Sequence, residues 1–276
     1  MIIDTHAHLD FPEFAADLAE VIDRARAADV SRIITISTSL ESCDRATALA
    51  NTWPNVFAAV GVHPSNATEA PENFCESLRL IAARRGVVAV GECGLDYHRL
   101  PSARLSDTEP RSGIRDGEDA DRVEKARQAV VFQEQLSLAA ELALPVIVHE
   151  REAWDDTLAL LAPFTGQVRA VFHCFGKSLA HAEKVLAMGH FVSFTGIATF
   201  KNAREVQATA AALPAGSFMM ETDCPFLAPV PYRGKRCEPA YTRDVVAHLA
   251  QLRGITLQQL AGETTKVARE FFRLEP

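Results

Sequence analysis

The chain has 276 residues, 48% of them hydrophobic, and its 36 acidic against 28 basic side chains give a net charge of −8. That length suits one closed α/β barrel, the apolar content excludes a disordered chain, and the negative charge excludes attraction of nucleic acid by the surface as a whole. Six cysteines without a Cys-x-x-Cys pair, a start lacking the basic and apolar regions of a signal peptide, and no apolar run long enough to span a bilayer together predict a soluble cytoplasmic protein.

Short runs rich in β-branched or aromatic residues alternate with stretches of helical periodicity along the whole chain. Residues 2–5 predict a first strand, and 14–28 a helix with Leu18, Val21, Ile22 and Ala25 on one face. Strands at 31–37 and 56–61 follow, each leading to a helix, at 41–51 and 71–85. The fourth strand is predicted at 87–91. Residues 99–125 then break the rhythm, with six basic and seven acidic side chains, no aromatic, and Pro101, Pro110, Gly113 and Gly117 as breakers. Such a stretch cannot bury enough apolar surface to fold alone and is expected to be a mobile excursion on the face that carries Glu92. A helix at 126–142 leads to strand five at 145–148, and a helix at 153–161 to strand six at 169–172. Helix 179–188, strand 190–194, helix 202–212 and strand 217–220 complete eight strands, and helices at 243–252 and 256–271 would pack outside. With no internal repeat and no Gly/Ser-rich linker, one domain over residues 1–276 is predicted, a single (β/α)8 TIM barrel.

Ligand-type residues sit where these strands end. His6 and His8 follow strand one, Glu92 strand four, His149 strand five, His173 strand six and Asp223 strand eight. In a parallel barrel those positions converge on the C-terminal face, where four imidazoles and two carboxylates make a ligand set for divalent metal, two ions in this reading. Taken singly, a water-facing glutamate or a hydrogen-bonded structural histidine explains each residue, and the conjunction carries the inference. Glu92, with two carboxylate oxygens and glycines on either side, is the natural shared ligand. Asp223 could also accept a proton from an attacking water, and Asp4 could orient an imidazole from behind. His63, at the end of strand three, points to substrate rather than metal. Arg151 could fork onto a phosphate, and Arg233, Lys235 and Arg236 form a basic loop that could lie beside the metals or simply face solvent. Cys93, Cys174 and Cys224, each next to a ligand, read as small packing residues.

The series Asp4-Thr5-His6-Ala7-His8-Leu9, Gly61-Val62-His63-Pro64, Gly91-Glu92-Cys93-Gly94-Leu95-Asp96-Tyr97, His149-Glu150-Arg151, His173-Cys174-Phe175 and Glu221-Thr222-Asp223-Cys224-Pro225-Phe226-Leu227 resembles the TatD family of metal-dependent deoxyribonucleases, within the amidohydrolase-type barrels. The likeness runs from residue 3 to about 272. It implies that His6, His8, Glu92 and Asp223 hold one ion and Glu92, His149 and His173 the other. It further implies hydrolysis of phosphodiester bonds in DNA, often from 3′ ends, with Mg²⁺, Mn²⁺ or Zn²⁺. The chain departs from the family's usual asparagines at Cys237 and Val267, neither of them a ligand position, and its excursion over 99–125 is longer than usual. The expected partner is a DNA or other nucleic-acid substrate, with a monomeric protein, no membrane and no obligate protein partner. A hydrolase of amide, lactone or ester bonds in a small metabolite uses the same kind of centre, and a metal-stabilised binding protein without turnover is a third reading that would not need an open metal position.

Overall fold

Buried β-branched runs that alternate with amphipathic helices can cover both faces of every strand only in a parallel sheet wrapped by helices. The computed structural model, which describes residues 1–106 and 114–275, has that form. Strands β1 (Ile2–Ala7), β2 (Val30–Ile36), β3 (Val56–Val60), β4 (Val87–Asp96), β5 (Val146–Arg151), β6 (Ala170–Phe172), β7 (Phe191–Phe194) and β8 (Phe218–Met220) pair in parallel and in sequence order. The seam between β8 and β1 closes just past the end of β8. There Ala7 bridges Cys224, the Asp223 N–H donates to the His6 carbonyl at 2.8 Å, and the His8 N–H donates to the Cys224 carbonyl at 2.8 Å.

Around the barrel run α1 (Leu18–Ala27), α2 (Leu40–Thr52), α3 (Phe74–Ala82), α4 (Pro101–Ser106), α5 (Ile114–Leu142), α6 (Trp154–Leu161), α7 (Leu179–Ala187), α8 (Arg204–Ala212), α9 (Thr242–Arg253) and α10 (Leu257–Phe272). One face of the strand pleat fills the barrel: Ile3, Ile34, Ile36, Ala59, Ala89, Ile147, Val171 and Met219 form one buried cluster. Val267, Ala268, Phe271 and Phe272 of α10 belong to the same cluster, and Thr265 donates to the Met1 carbonyl at 3.0 Å. Helix α10 therefore seals the N-terminal mouth, which leaves the C-terminal mouth as the open end.

The stretch predicted as a mobile excursion is corrected where it is described. Residues 101–106 are helical, and α5 begins at Ile114, well before the predicted 126. The Ser102 N–H donates to the Asp121 carboxylate at 2.8 Å, which ties α4 to α5. Mixed charge made the segment look unable to fold. Residues 114–125 are instead the first turns of a 29-residue helix whose later turns are anchored in the core by Phe132 and Leu136. Residues 107–113, which also belong to that expectation, lie outside the described residues. No helix among the described residues is long and apolar enough to cross a membrane.

Candidate metal centre

Side chains two apart on a strand share a face, so His6 at the end of β1 and His8 just beyond it turn the same way. On the far side of the barrel β4 must run close to β5. Gly91 (φ 132°) and Gly94 (φ 143°) allow this: a Cβ on Gly91 would lie 2.6 Å from the Ile147 carbonyl oxygen, and one on Gly94 would overlap the His149 carbonyl. No other residue fits there, and the close approach carries Glu92 into the middle of the mouth.

Glu92 is the hub. Its Oε2 lies 3.4 Å from His6 Nε2 and 3.9 Å from His8 Nε2, and Asp223 Oδ1 lies 3.4 Å from His8 Nε2 and 3.6 Å from His6 Nε2. Its Oε1 faces the other way, 2.7 Å from His149 Nδ1, 2.7 Å from His173 Nε2 and 3.6 Å from His63 Nε2. The two carboxylate oxygens thus face different imidazoles, although His6 on one side stacks on His173 of the other with centroids 4.1 Å apart.

For His8, His149, His173 and His63 a second tier of contacts decides which ring nitrogen carries a lone pair. His8 Nδ1 lies 3.2 Å from the Ile36 carbonyl and must donate to it, which leaves Nε2 free to ligate. His149 turns Nε2 to Asp96 Oδ2 at 3.3 Å, so its lone pair is Nδ1. His173 Nδ1 faces Glu221 Oε1 at 3.6 Å, and Glu221 is itself held by the Cys174 N–H and the Ser193 hydroxyl, both at 2.6 Å. His63 behaves differently. Its Nδ1 accepts from the Ser65 N–H at 3.0 Å, so in the neutral ring Nε2 is a donor, 3.6 Å from Glu92 Oε1. That suits a hydrogen bond to substrate better than a bond to metal.

Helix α5 holds this tier from outside the barrel. Gln128 accepts from the Asp96 N–H at 2.9 Å and donates to the Asp96 carbonyl at 3.2 Å. Two turns later Gln135 accepts from the Val62 N–H at 2.8 Å and donates to the Val62 carbonyl at 3.0 Å, next to His63. Asp4 orients no imidazole. It accepts from the Thr222 N–H at 2.9 Å and the Thr222 hydroxyl at 2.6 Å, which pins the β8–β1 seam, and burial raises its carboxyl to about 8.

Charge follows the same plan. Burial alone would raise Glu92, yet the charge of protonated His173 and a hydrogen bond from protonated His149 outweigh it and hold the carboxyl well below the usual range; a cation would take the place of those protons and leave each ring its lone pair. Asp223 is likewise lowered against its burial, chiefly by the hydrogen bond with His8. Burial drives His63 down to about 3, so it is neutral. His6 Nε2 and His8 Nε2 face each other at 3.3 Å, and His149 Nδ1 and His173 Nε2 at 3.1 Å. Ring nitrogens converging on the carboxylates of Glu92 and Asp223 at such distances fit a bound cation, and imidazole with carboxylate is a donor set suited to Zn²⁺ or Mn²⁺. Among the described residues, three groups have geometry that could hold an ion: His6 with His8 and Glu92, His6 with His173 and Glu221, and His63 with Glu92 and His149.

Above the centre lies a cavity of about 780 Å³. Of the predicted phosphate-holding residues, Arg151 and His63 line it. Arg233 lies instead over the Phe200 ring at 4.1 Å, and Lys235 is an exposed residue that does not line the cavity. Arg236 is spent on structure: it donates twice to Asp17 at 2.7 Å and once to Glu238 at 2.9 Å, and packs on Phe14. Asp96, Glu221, Gln128 and Gln135 were not singled out from the sequence. Asp96 had a signal, because it stands two strand periods after Glu92.

The sequence matches the family described as TatD related DNase over residues 3–273. The uncharacterized metal-dependent hydrolase YabD of Bacillus subtilis (strain 168) is 35% identical over 275 residues, covering 99% of this chain and 100% of that one. A protein of Erwinia tasmaniensis named 3′-5′ ssDNA/RNA exonuclease TatD is 34% identical over 280 residues, covering 99% of this chain and 100% of its own. Among solved structures, the TatD homolog YJJV of Escherichia coli K12 superposes with a TM-score of 0.85 at 30% identity, covering 99% of this chain and 98% of that one.

Proposed function

The chain belongs to the family of TatD-related DNases and is a metal-dependent hydrolase, and from that premise we propose that it cleaves phosphodiester bonds at the 3′ ends of nucleic acid with two divalent cations. The observation that carries this reading is the division of Glu92, whose Oε2 faces His6 and His8 while Oε1 faces His149 and His173. Bound in the two halves, Zn²⁺, Mn²⁺ or Mg²⁺ would lower the pKa of a water towards neutrality and neutralise charge on the phosphate. Asp223, whose side chain is 15% exposed to the cavity and held ionised by His8, accepts the proton of the attacking water. The His63 Nε2–H and the guanidinium of Arg151 hold phosphate oxygens. Relatives named as 3′-5′ ssDNA/RNA exonucleases support the substrate class and the polarity. The protein acts as a monomer, with nucleic acid as its partner.

The test is metal analysis of the purified protein, then digestion of end-labelled single-stranded DNA, duplex DNA and RNA before and after chelation. We expect shortening from the 3′ end that stops on chelation and returns with Mn²⁺ or Zn²⁺. An acyl substrate hydrolysed faster than any oligonucleotide would overturn the assignment.

A further inference from the structure

The cavity over the metal centre has two unlike walls. Phe11, shortly after β1, and Phe226, in the loop after β8, both line it, and Phe226 is 48% exposed. Phe11 stacks on the His8 imidazole with centroids 4.7 Å apart and planes at 26°, and Phe226 meets Phe11 edge-on at 6.0 Å and 81°. A lone exposed phenylalanine is ordinary. This one extends a chain of rings that begins at a histidine of the metal centre. The eight strands follow one another in order around the closed barrel, so the β8–β1 seam lies across the ring from β4 and β5. Arg99 and Arg151 stem from the ends of those two strands, line the same cavity and are exposed, with no ion-pair partner among the described residues. Lys177, also in the cavity, is neutralised by Glu150 at 3.1 Å. Aromatic surface on one side, free guanidinium on the other and Glu92 between them match the alternation of base and phosphate along one nucleic-acid strand.

We propose that Phe226, backed by Phe11, is a stacking platform for one unpaired nucleobase of a single-stranded nucleic acid, while Arg99 and Arg151 take the neighbouring phosphate across the metal centre. This rests on the phosphodiester reading above. Any base has a π face, so the platform selects for an unpaired base rather than for its identity, and a duplex end must fray before it can be used.

The experiment is a cycle of two changes on the metal-loaded enzyme: Phe226→Ala in the protein, and an abasic residue in place of the terminal or penultimate nucleoside of a single-stranded oligonucleotide. For the wild type, removing the base at one of these positions should lower kcat/KM by between about fivefold and about 150-fold, the range of one base–aromatic stack. In Phe226→Ala the same abasic change should cost much less, because the partner is already gone. Phe226→Tyr should restore base dependence, and Phe226→Leu, which keeps apolar bulk without a π face, should not. Equal base dependence in wild type and Phe226→Ala would overturn the platform and leave the phosphodiester reading standing. A wild type that cleaves no oligonucleotide with any of the three metals would sink both.

Discussion

Replacing Glu92 with glutamine tests the division of the centre most directly. The amide keeps the shape and one acceptor oxygen but removes the charge shared by both halves. In the native protein that charge lies 2.7 Å from one ring nitrogen of His149 and of His173, and 3.4 Å from His6. A unit charge pair at 2.7 Å is worth about 6 kcal/mol at an effective dielectric of about 20. Relaxation and remaining ligands should recover part of this, which leaves a transition-state loss of about 4 kcal/mol, or roughly a thousandfold in kcat. Metal content, measured by mass spectrometry of the desalted protein, should fall from two ions to one or none. His149→Ala is the partner experiment. It removes a ligand from the Oε1 side alone and should lose one ion while the His6–His8 side keeps its own. Circular dichroism should stay native in both variants, because the residues lie at the barrel mouth rather than in the sealed interior. A Glu92→Gln protein that keeps two ions and runs within tenfold of the wild-type rate would refute the shared-carboxylate argument.

Asp223→Asn should retain most of its metal but lose about two to four orders of magnitude in kcat, the usual range for a positioned general base; unchanged turnover would remove Asp223 from the proton path. His190, buried at the start of β7 with its Nδ1 accepting from the Ala170 N–H, is pushed down to about 4 by burial alone. Its folded value lies below the unfolded value of about 6.5, so the unfolded chain takes up a proton that the native state refuses. Stability is therefore full above about pH 6.5 and lost as pH falls towards 4, by about 2 kcal/mol between pH 7 and 5. Urea titrations of the metal-free protein should show that loss shrinking in His190→Asn, and an unchanged pH slope would contradict it. Gln128→Leu leaves the Asp96 N–H and carbonyl without their partner, and should lower stability by about 1–3 kcal/mol. It should also weaken the ion on the His149 side more than the one on the His6 side, and equal weakening of both would assign Gln128 a purely structural part.

The barrel and its ligand face were legible because both follow from local periodicity. Each β-branched run marks a strand, and the first polar ligand-type residue after it lies on the open mouth, which is how His6, His8, Glu92, His149, His173 and Asp223 could be gathered from segments far apart. Strand four was read too short, ending at 91, because its run of β-branched residues stops there. In the structure Gly91 and Gly94 are the residues that let β4 continue to Asp96 against β5. Asp96 therefore falls beyond the predicted strand, where nothing local points to its role in orienting His149. The basic loop is placed by contacts of another kind. Arg236 pairs with Asp17, a partner 219 residues away, and no local pattern announces which of several exposed cations will be claimed by such a contact.

That placement decides where the centre could hold an anion. With Arg236 bound to Asp17 and Glu238, Arg233 lying on Phe200 and Lys177 paired with Glu150, the cavity keeps only Arg99 and Arg151 as unpaired guanidinium groups among the described residues. A chain of net charge −8 offers no long-range help. In the proposed reaction, affinity for a phosphodiester would then come from cations held by Glu92 and its histidines, with Arg99 and Arg151 fixing direction and the aromatic wall adding contact that salt does not screen. A site built this way is charged at its centre and nearly neutral at its rim. It should favour a short, flexible strand end that can reach the metals over a duplex that must be held along its length. The helix that reads as a charged excursion, α5, serves that same centre from behind: Gln128 and Gln135, one heptad apart on its buried face, fix the backbone at Asp96 and beside His63, so the outer ring of the barrel positions groups that the strands alone would only point in the right direction.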